Sequence, residues 1–514
     1  MTPSSVLIDT SALIVPAVDT LRGATSVQST KGRGKPVPRG LHPRYVCDLL
    51  WEEDRYLVFQ ASTDLSEDVR IATPMPAPPP LDSFRPEYLQ TLESHRHLFK
   101  IITPIAVDRF EYLLTDHPNR PFIESVVHSL CEGAWPWAAP PTQFPVVHDL
   151  SYLGTRLQDR PELKKFMEAE CAKEFEVDRF SAPFDHLLPG MACMPTYVVS
   201  RGEKYRLVTD HSVGNLSLNS LVDKDFRAVP LCGLQQLGYN ICRHRAASPH
   251  RLLVLFKCDV KGAYRLVPMH PLWQMLQAVR LPSGQFAINC NNVFGGGASG
   301  RCWWCVMSLI LWIASHHYNC RDLLNYVNDV FADNFGDHMV LYPRYRTLMP
   351  YNQFQLLSCF DALRVPHDPP KQTCGTSQKI IGMQVDCTHL SITMPQDSQR
   401  LLIQTIDDFC TPCPRAKPIT RSLRHCQALT GHVNWALNMY PCLRPGLASL
   451  YSKMGGPYSP DRKVHINSDI LQDLLWLVRR VCASNGVFLL QSIAWTMDEA
   501  DMTIFTDACL TGIG

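Results

Sequence analysis

At 514 residues the chain has room for about three globular units, and 46% hydrophobic with 19% charged residues places it among folded proteins, not disordered tails. Lys and Arg number 49 against 48 Asp and Glu, a net charge of +1, which excludes a histone-like polybasic binder but not an enzyme with one basic groove. The 20 cysteines do not indicate a secreted disulfide scaffold, because that class is small, denser in Cys and led by a signal peptide.

The N-terminal stretch MTPSSVLIDTSALIVPAV has no basic segment ahead of its apolar residues, so no secretory signal is read there. The longest charge-free apolar run, Cys302–Ser315, is 14 residues, short of the ~20 that span a bilayer. The expectation is an intracellular protein of nucleus or cytoplasm, with reduced thiols and no membrane partner. Forty prolines exceed the usual ~5%, which predicts loop-rich spacers. Residues 1–45 are Ser, Thr and Pro rich and are expected to be disordered. Thr73–Pro80 and Trp135–Pro145 read as proline spacers. Between them, PEYLQTLESHRHLFKII and HPNRPFIESVVHSLCEGA carry apolar residues at helical spacing, with Gly133 as the stop.

From about residue 150 the pattern becomes mixed. RPELKKFMEAECAKEF (160–175) predicts an amphipathic helix, and PTYVVS with KYRLVTDHS predicts a hairpin around Arg201-Gly202-Glu203. The apolar run 251–260 predicts a buried strand delivering Asp259 at its end. Phe286–Val293 reads as a further strand, and the turn FGGGASG opens a long apolar helix over 301–315. LLNYVNDVFADN predicts a hairpin with Asn328-Asp329 at its tip. Cys302 and Cys305 read as core packing on that helix, and their separation from Cys410 and Cys413 does not match zinc spacing. His316-His317 reads as a helix end.

The pieces occur in one order: Asp259 in Phe-Lys-Cys-Asp-Val-Lys-Gly-Ala-Tyr, then Phe294-Gly295 through Ser299, then Tyr326-Val327-Asn328-Asp329, then Lys371 ahead of KIIGMQVD. Over roughly residues 150–460 this resembles the palm of reverse transcriptases, motifs A to E. The block HPNRPFIESVVHSLCEGAWPWA resembles the segment ahead of the palm in DIRS-like retrotransposons; the overall resemblance is to retrotransposon enzymes, DIRS-like or gypsy-like. It implies an α/β (α+β) right-hand fold of palm, fingers and thumb behind a helical N-terminal extension. The implied divisions are 1–84 largely disordered, 85–149 helical extension, 150–400 fingers and palm, 401–495 thumb and connection, and 496–514 the truncated start of a ribonuclease H-like strand, with Asp507 as its first ligand.

The resemblance implies RNA-directed DNA synthesis on an RNA or DNA template-primer from deoxynucleoside triphosphates. Two Mg²⁺ (or Mn²⁺) ions would be held by Asp259 and Asp329, since nucleotidyl transfer places two divalent ions ~3.5–4 Å apart between carboxylates and phosphates. Asn328 and Lys371 join the implied catalytic set. Tyr264 matches the steric gate that excludes a 2′-hydroxyl. Arg206 and Lys204 match the triphosphate grip of the fingers, and Phe294, Gly295 and Ser299 the nucleotide-contacting turn. Read without the resemblance, Arg206 is equally a solvated hairpin charge and Lys371 a surface lysine.

Three departures stand out. Gly300 replaces the family's usual Pro, the position of the fingers lysine falls near Val199, and Asn328 replaces the first Asp of Tyr-x-Asp-Asp. The last removes a full negative charge beside two dications, so activity is expected to be impaired. The alternative reading is a catalytically dead, nucleic-acid-binding remnant of a transposable element. Over 411–463, Arg415, Lys417, Arg421, Arg424 and four further basic residues face the single Asp461, suiting backbone contacts to nucleic acid in a thumb.

Overall fold

The run Leu253–Asp259, LVLFKCD, is buried along nearly its whole length, as a strand covered on both faces must be. It begins two residues later than the apolar run predicts. In this computed structural model, described for residues 69–157, 160–201, 204–411, 419–437, 441–456, 459 and 461–483 with short strand backbones at 49–52, 55–59, 487–488, 508–509 and 512–513, helix and sheet are mixed throughout. Leu253–Asp259 lies inside a four-stranded antiparallel sheet. Asp329–Phe335 flanks it on one side and Thr373–Gly375 on the other, and Leu324–Tyr326 completes the order beyond Asp329–Phe335.

Period-two alternation sends the two faces of this sheet into two cores. Phe256, Cys258, Val330 and Ala332 join the cluster that contains the helix Ser299–His317. Leu253, Leu255 and Phe331 join the other, with the helices Gln396–Cys410, Leu423–Leu437 and Ser468–Ala483. Lys257, Asp259 and Asp329 share parity with Leu253, Leu255 and Phe331, so their side chains leave the sheet on that second face. Ser299–His317 is buried on almost every side, Cys302 and Cys305 included, and burial pushes both thiols up. Among the described residues no helix is long and apolar enough to cross a membrane.

The helices Pro86–Ser94, Val107–Tyr112 and Arg120–Glu132 pack into the first core, not beside it. Phe122 meets Trp304, and His117 meets Trp312 edge-on at 4.7 Å between ring centres. Gly133 ends its helix at φ 94°, as the stop signal predicts. The predicted helix PEYLQTLESHRHLFKII does not run through. It ends at Ser94, and after one 3-10 turn the chain is extended. Side-chain amides from far along the sequence claim its backbone: Lys100 N–H donates to Gln274 Oε1 at 3.2 Å, Gln274 Nε2 donates to the Lys100 carbonyl at 2.7 Å, and Asn291 Nδ2 donates to the Ile102 carbonyl at 2.7 Å.

A similar override shortens the strand expected over Phe286–Val293 to Phe286–Ile288. Buried Arg265 gathers the carbonyls of Asn291 and Asn292 and the side chain of Asn289, and past Ile288 the backbone pairs through isolated bridges, Asn289 with Phe180 and Asn291 with Pro268. The helix Pro161–Glu176 and the hairpin Thr196–Arg201 with Lys204–Thr209 form as the sequence predicts.

The central sheet is tied to the helix Leu234–Ala247 by one half-buried ionic cluster. The His244 ring donates from Nδ1 to Asp333 at 2.6 Å, lies 3.3 Å from Asp322 through Nε2, and Asp322 also takes Arg243 at 2.6 Å. Bonds to Asp322 and Asp333 outweigh burial and lift the imidazole to about 9. A raised folded value means the stabilisation is complete below the unfolded value of ~6.5 and is lost as pH rises through about 9. Replacing His244→Gln should therefore cost about 2 kcal/mol at pH 6, allowing for solvent screening, and much less at pH 9.5. Urea unfolding of both proteins at the two pH values measures the difference.

Candidate functional site

Strand pairing places Asp259 directly opposite Asp329. Residues so paired have Cβ atoms ~4.5–5.5 Å apart on one face, and two like charges there repel. Asp329 shows the result: burial raises its carboxyl above the usual range and Asp259 adds to the shift, while Lys257 and Lys371 oppose it. Lys257 Nζ stands 4.0 Å from the Asp329 carboxylate. Lys371 Nζ donates to Asp259 Oδ1 at 2.7 Å, and Asn328 Nδ2 donates to Asp259 Oδ2 at 2.5 Å.

The backbone of Asp259 is held as firmly as its side chain. Gln372, almost fully buried, accepts from Asp259 N–H through Oε1 at 3.2 Å and donates from Nε2 to the Asp259 carbonyl at 3.0 Å. The same Nε2 donates to the Asp368 carbonyl at 3.1 Å, joining the loop to the strand end. Beyond it, Val260 N–H donates to the Asn328 carbonyl and Lys261 N–H to the Pro366 carbonyl. Gln372 carries no motif of its own, and its adjacency to Lys371 is the one sequence signal that points to it.

The hairpin is offset from its expected position. Tyr326 pairs with Asp329, so Val327 and Asn328 form the turn and Asp329 is the first residue of the strand, not the second residue of the tip. The pairing of Asp329 with Asp259 explains the shift, because a residue in the turn has no partner across the sheet. Val327 consequently adopts φ 59°, a conformation that β-branched residues avoid. Its carbonyl is held by Trp303 Nε1 at 2.8 Å and Asn325 Nδ2 at 3.2 Å. Neither holder was evident in the sequence.

Tyr264 lies in the short 3-10 turn after Asp259, its hydroxyl pushed up by burial. Its ring tilts against Phe294 at 5.2 Å between centres, and Tyr264, Gly300, Trp303 and Val327 line one small cavity. Phe294 is 52% exposed at the mouth of the Gly-rich turn. Ser299 opens the long helix, two residues earlier than the apolar run predicts. Arg206 is exposed on the second hairpin strand, paired with Val199. Lys204 begins that strand, and its side chain lies outside the described residues.

The basic segment divides. Arg421 donates to the carbonyls of Asp408, Thr411 and Thr420 and lies over the Phe409 ring, closing the end of the Gln396–Cys410 helix. Arg424 is exposed. Arg415, Lys417, Cys413 and Asp507 lie outside the described residues.

Two carboxylates and an amide oxygen are hard donors that suit Mg²⁺, an ion commonly held by one or two carboxylates together with substrate phosphates. Among the described residues no group of three or more His, Cys, Asp or Glu converges, so a closed protein cage is not formed there. Asp259 and Asp329, opposed on one face of the sheet, are the kind of donor pair that an open Mg²⁺ site uses.

No family profile matches the sequence, and no curated protein matches it. Solved structures that are similar include three of the foamy viral protease-reverse transcriptase. One, in complex with RNA/DNA hybrid, aligns at 12% identity and a TM-score of 0.42 over 76% of this chain and 48% of that one. The chain thus spans about half the length of that neighbour. A second, in complex with double-stranded DNA, aligns at 14% and 0.40 over 82% and 64%. A third, also with double-stranded DNA, aligns at 14% and 0.41 over 76% and 75%.

Two glycines of the Phe294–Gly300 segment make opposite predictions. Gly295 has φ 114°, and a Cβ there runs into the Thr209 carbonyl, so Gly295→Ala should cost at least ~2 kcal/mol. A Cβ at Gly300 meets Tyr264 Oη at 3.5 Å and Val229 at 3.9 Å, which is ordinary contact in the first turn of a helix. Gly300→Ala should stabilise by roughly 0.5 kcal/mol. Urea denaturation midpoints check both.

Proposed function

We propose that the chain is a retroelement-derived reverse transcriptase, a Mg²⁺-dependent nucleotidyltransferase acting on a primer 3′-hydroxyl, attenuated by Asn328. The observation that carries this reading is the register that sets Asp259 opposite Asp329 at the open end of a buried sheet. In this reading the central sheet is the palm, the Thr196–Thr209 hairpin belongs to the fingers, and the helices after residue 396 form the thumb. The DIRS-like or gypsy-like subtype and the ribonuclease H-like start at residues 496–514 belong to the same proposal.

Asp259 and Asp329, with the Asn328 side-chain oxygen, would hold two Mg²⁺ or Mn²⁺ ions. Such ions, bound with substrate phosphates, supply the Lewis acidity that activates the 3′-hydroxyl and steadies the leaving pyrophosphate. The Tyr264 ring lies under the sugar and rejects a 2′-hydroxyl. Arg206 and Lys204 grip the triphosphate, and the turn from Phe294 to Ser299 seats the nucleotide against the template. Lys371 donates a proton to the departing pyrophosphate, for which its ammonium must first leave Asp259 Oδ1. Gln372 keeps the Asp259 backbone fixed during that exchange.

Asn328 supports the second reading, a nucleic-acid-binding remnant without catalysis. Its amide presents hydrogens to Asp259 where the family presents a third carboxylate. Losing that anion from a preorganised site costs about 2–4 kcal/mol of transition-state stabilisation. Mg²⁺-dependent primer extension should accordingly be weak in the wild type and at least ten-fold faster in Asn328→Asp, with salt-dependent primer–template binding unchanged. Vigorous wild-type synthesis would overturn the attenuation. Synthesis by neither protein, with binding retained, would favour the remnant.

A further inference from the structure

One side chain joins two stretches that the sequence keeps far apart. Asn219 Nδ2 donates to the Gly295 carbonyl at 2.9 Å and to Ser212 Oγ at 2.8 Å, while Asn219 Oδ1 accepts from Gly297 N–H at 2.6 Å. Both ends of the amide are thus used, and Gly295 and Gly297 are held as two ends of a clamp. The backbone of Asn219 is fixed in turn. Its N–H donates to the His211 carbonyl at 2.9 Å, and its carbonyl accepts from the Arg227 guanidinium. Arg227 also donates to the Val222 carbonyl at 2.8 Å.

The packing around this clamp leaves no slack. Gly295 is pressed so closely on the Thr209 carbonyl that a Cβ has no room, and Thr209 is the last residue of the strand that carries Arg206. A Cβ at Gly297 would come within 3.2 Å of Asn219 Oδ1 and 3.5 Å of Arg227 Nε. Behind Gly296 sits His211, buried, with burial lowering its imidazole to about 4, and neither ring nitrogen has a hydrogen-bond partner. The His211 ring fills space without a polar tie, so the side-chain connection between the hairpin end and the turn runs through the amide of Asn219 and the Ser212 hydroxyl.

We propose that Asn219 is a positioning residue for the incoming nucleotide: it locks the turn that carries Phe294 and Ser299 to the end of the Arg206 strand. This inference rests on the reverse-transcriptase reading, in which those two elements hold opposite sides of one deoxynucleoside triphosphate. Hydrogen bonds that set the spacing of two contact surfaces govern affinity for the ligand between them through preorganisation. They have little bearing on a duplex held by other contacts.

The test separates nucleotide from duplex binding and needs no turnover. The full chain is bound to a dideoxy-terminated primer–template in Mg²⁺, and the next complementary deoxynucleotide is titrated until the complex resists a heparin challenge. Asn219→Ala should raise the half-saturating nucleotide concentration at least ten-fold, leaving primer–template affinity within two-fold and the melting temperature close to wild type. Asn219→Asp keeps the acceptor for Gly297 N–H and loses both donors, and should fall between the two. Hydrogen exchange should quicken at residues 294–299 in Asn219→Ala. Equal nucleotide dependence in wild type and variant would overturn the inference and leave the reverse-transcriptase reading standing. Parallel loss of duplex affinity and melting temperature would reduce Asn219 to a structural role and overturn it too. A wild type that holds duplex but takes up no nucleotide would sink that reading and the inference with it.

Discussion

The repulsion between Asp259 and Asp329 is the constraint to which the rest of the described structure answers. Two carboxylates opposed across adjacent strands are unfavourable unless positive charge or hydrogen-bond donors compensate. Here compensation comes from several elements: Lys257 from the same strand as Asp259, Lys371 from the loop before Thr373–Gly375, and Asn328 from the turn. None of these would be in place without rigid surroundings. The sheet supplies them by sending one face into a core built on Ser299–His317 and the other into a core of C-terminal helices. Gln372 then replaces a missing strand neighbour, satisfying the N–H and carbonyl of Asp259 with one side-chain amide.

The same constraint explains the strained turn. Drawing Asp329 into the ladder leaves two residues to reverse the chain, and one of them is Val327 at φ 59°. A β-branched residue in that region costs of order 1–3 kcal/mol and persists when its surroundings over-determine it. Trp303 and Asn325 do so by converging on the Val327 carbonyl. Trp303 stands on the long buried helix, so its indole transmits the rigidity of the first core to the turn.

The sequence made the linear logic of the site legible: an apolar strand ending in Asp259, a Gly-rich turn opening a helix, a Tyr-x-Asn-Asp hairpin and a following lysine. Periodicity and turn chemistry are local signals, and local signals survive in a single chain. What escaped detection is long-range. Nothing near Gln372 says that its amide meets Asp259, which is 113 positions away. The Asn219 contact to Gly295 spans 76 positions, and the amides that unwound the predicted helix at Lys100 span 174. The one-residue offset of the hairpin had the same origin, since only the partner strand fixes which residue leaves the turn. Side-chain amides account for most of these misses, because Asn and Gln satisfy backbone groups in ways that hydropathy patterns do not register.

Asn328 gathers these threads into one electrostatic argument. Two carboxylates, Asp259 and Asp329, face two ammonium groups, Lys257 and Lys371, so the centre is close to neutral before any cation arrives. An aspartate at position 328 would add a third anion and could not donate to Asp259 Oδ2 without first taking up a proton. Asparagine therefore lets the carboxylate pair be balanced by the protein's own groups, and on the proposed reading it would weaken the pull on divalent ions that a third carboxylate would exert. On the proposed reading one exchange, a unit of negative charge for a hydrogen-bond donor, would both quiet the carboxylate pair and impair ion-assisted transfer.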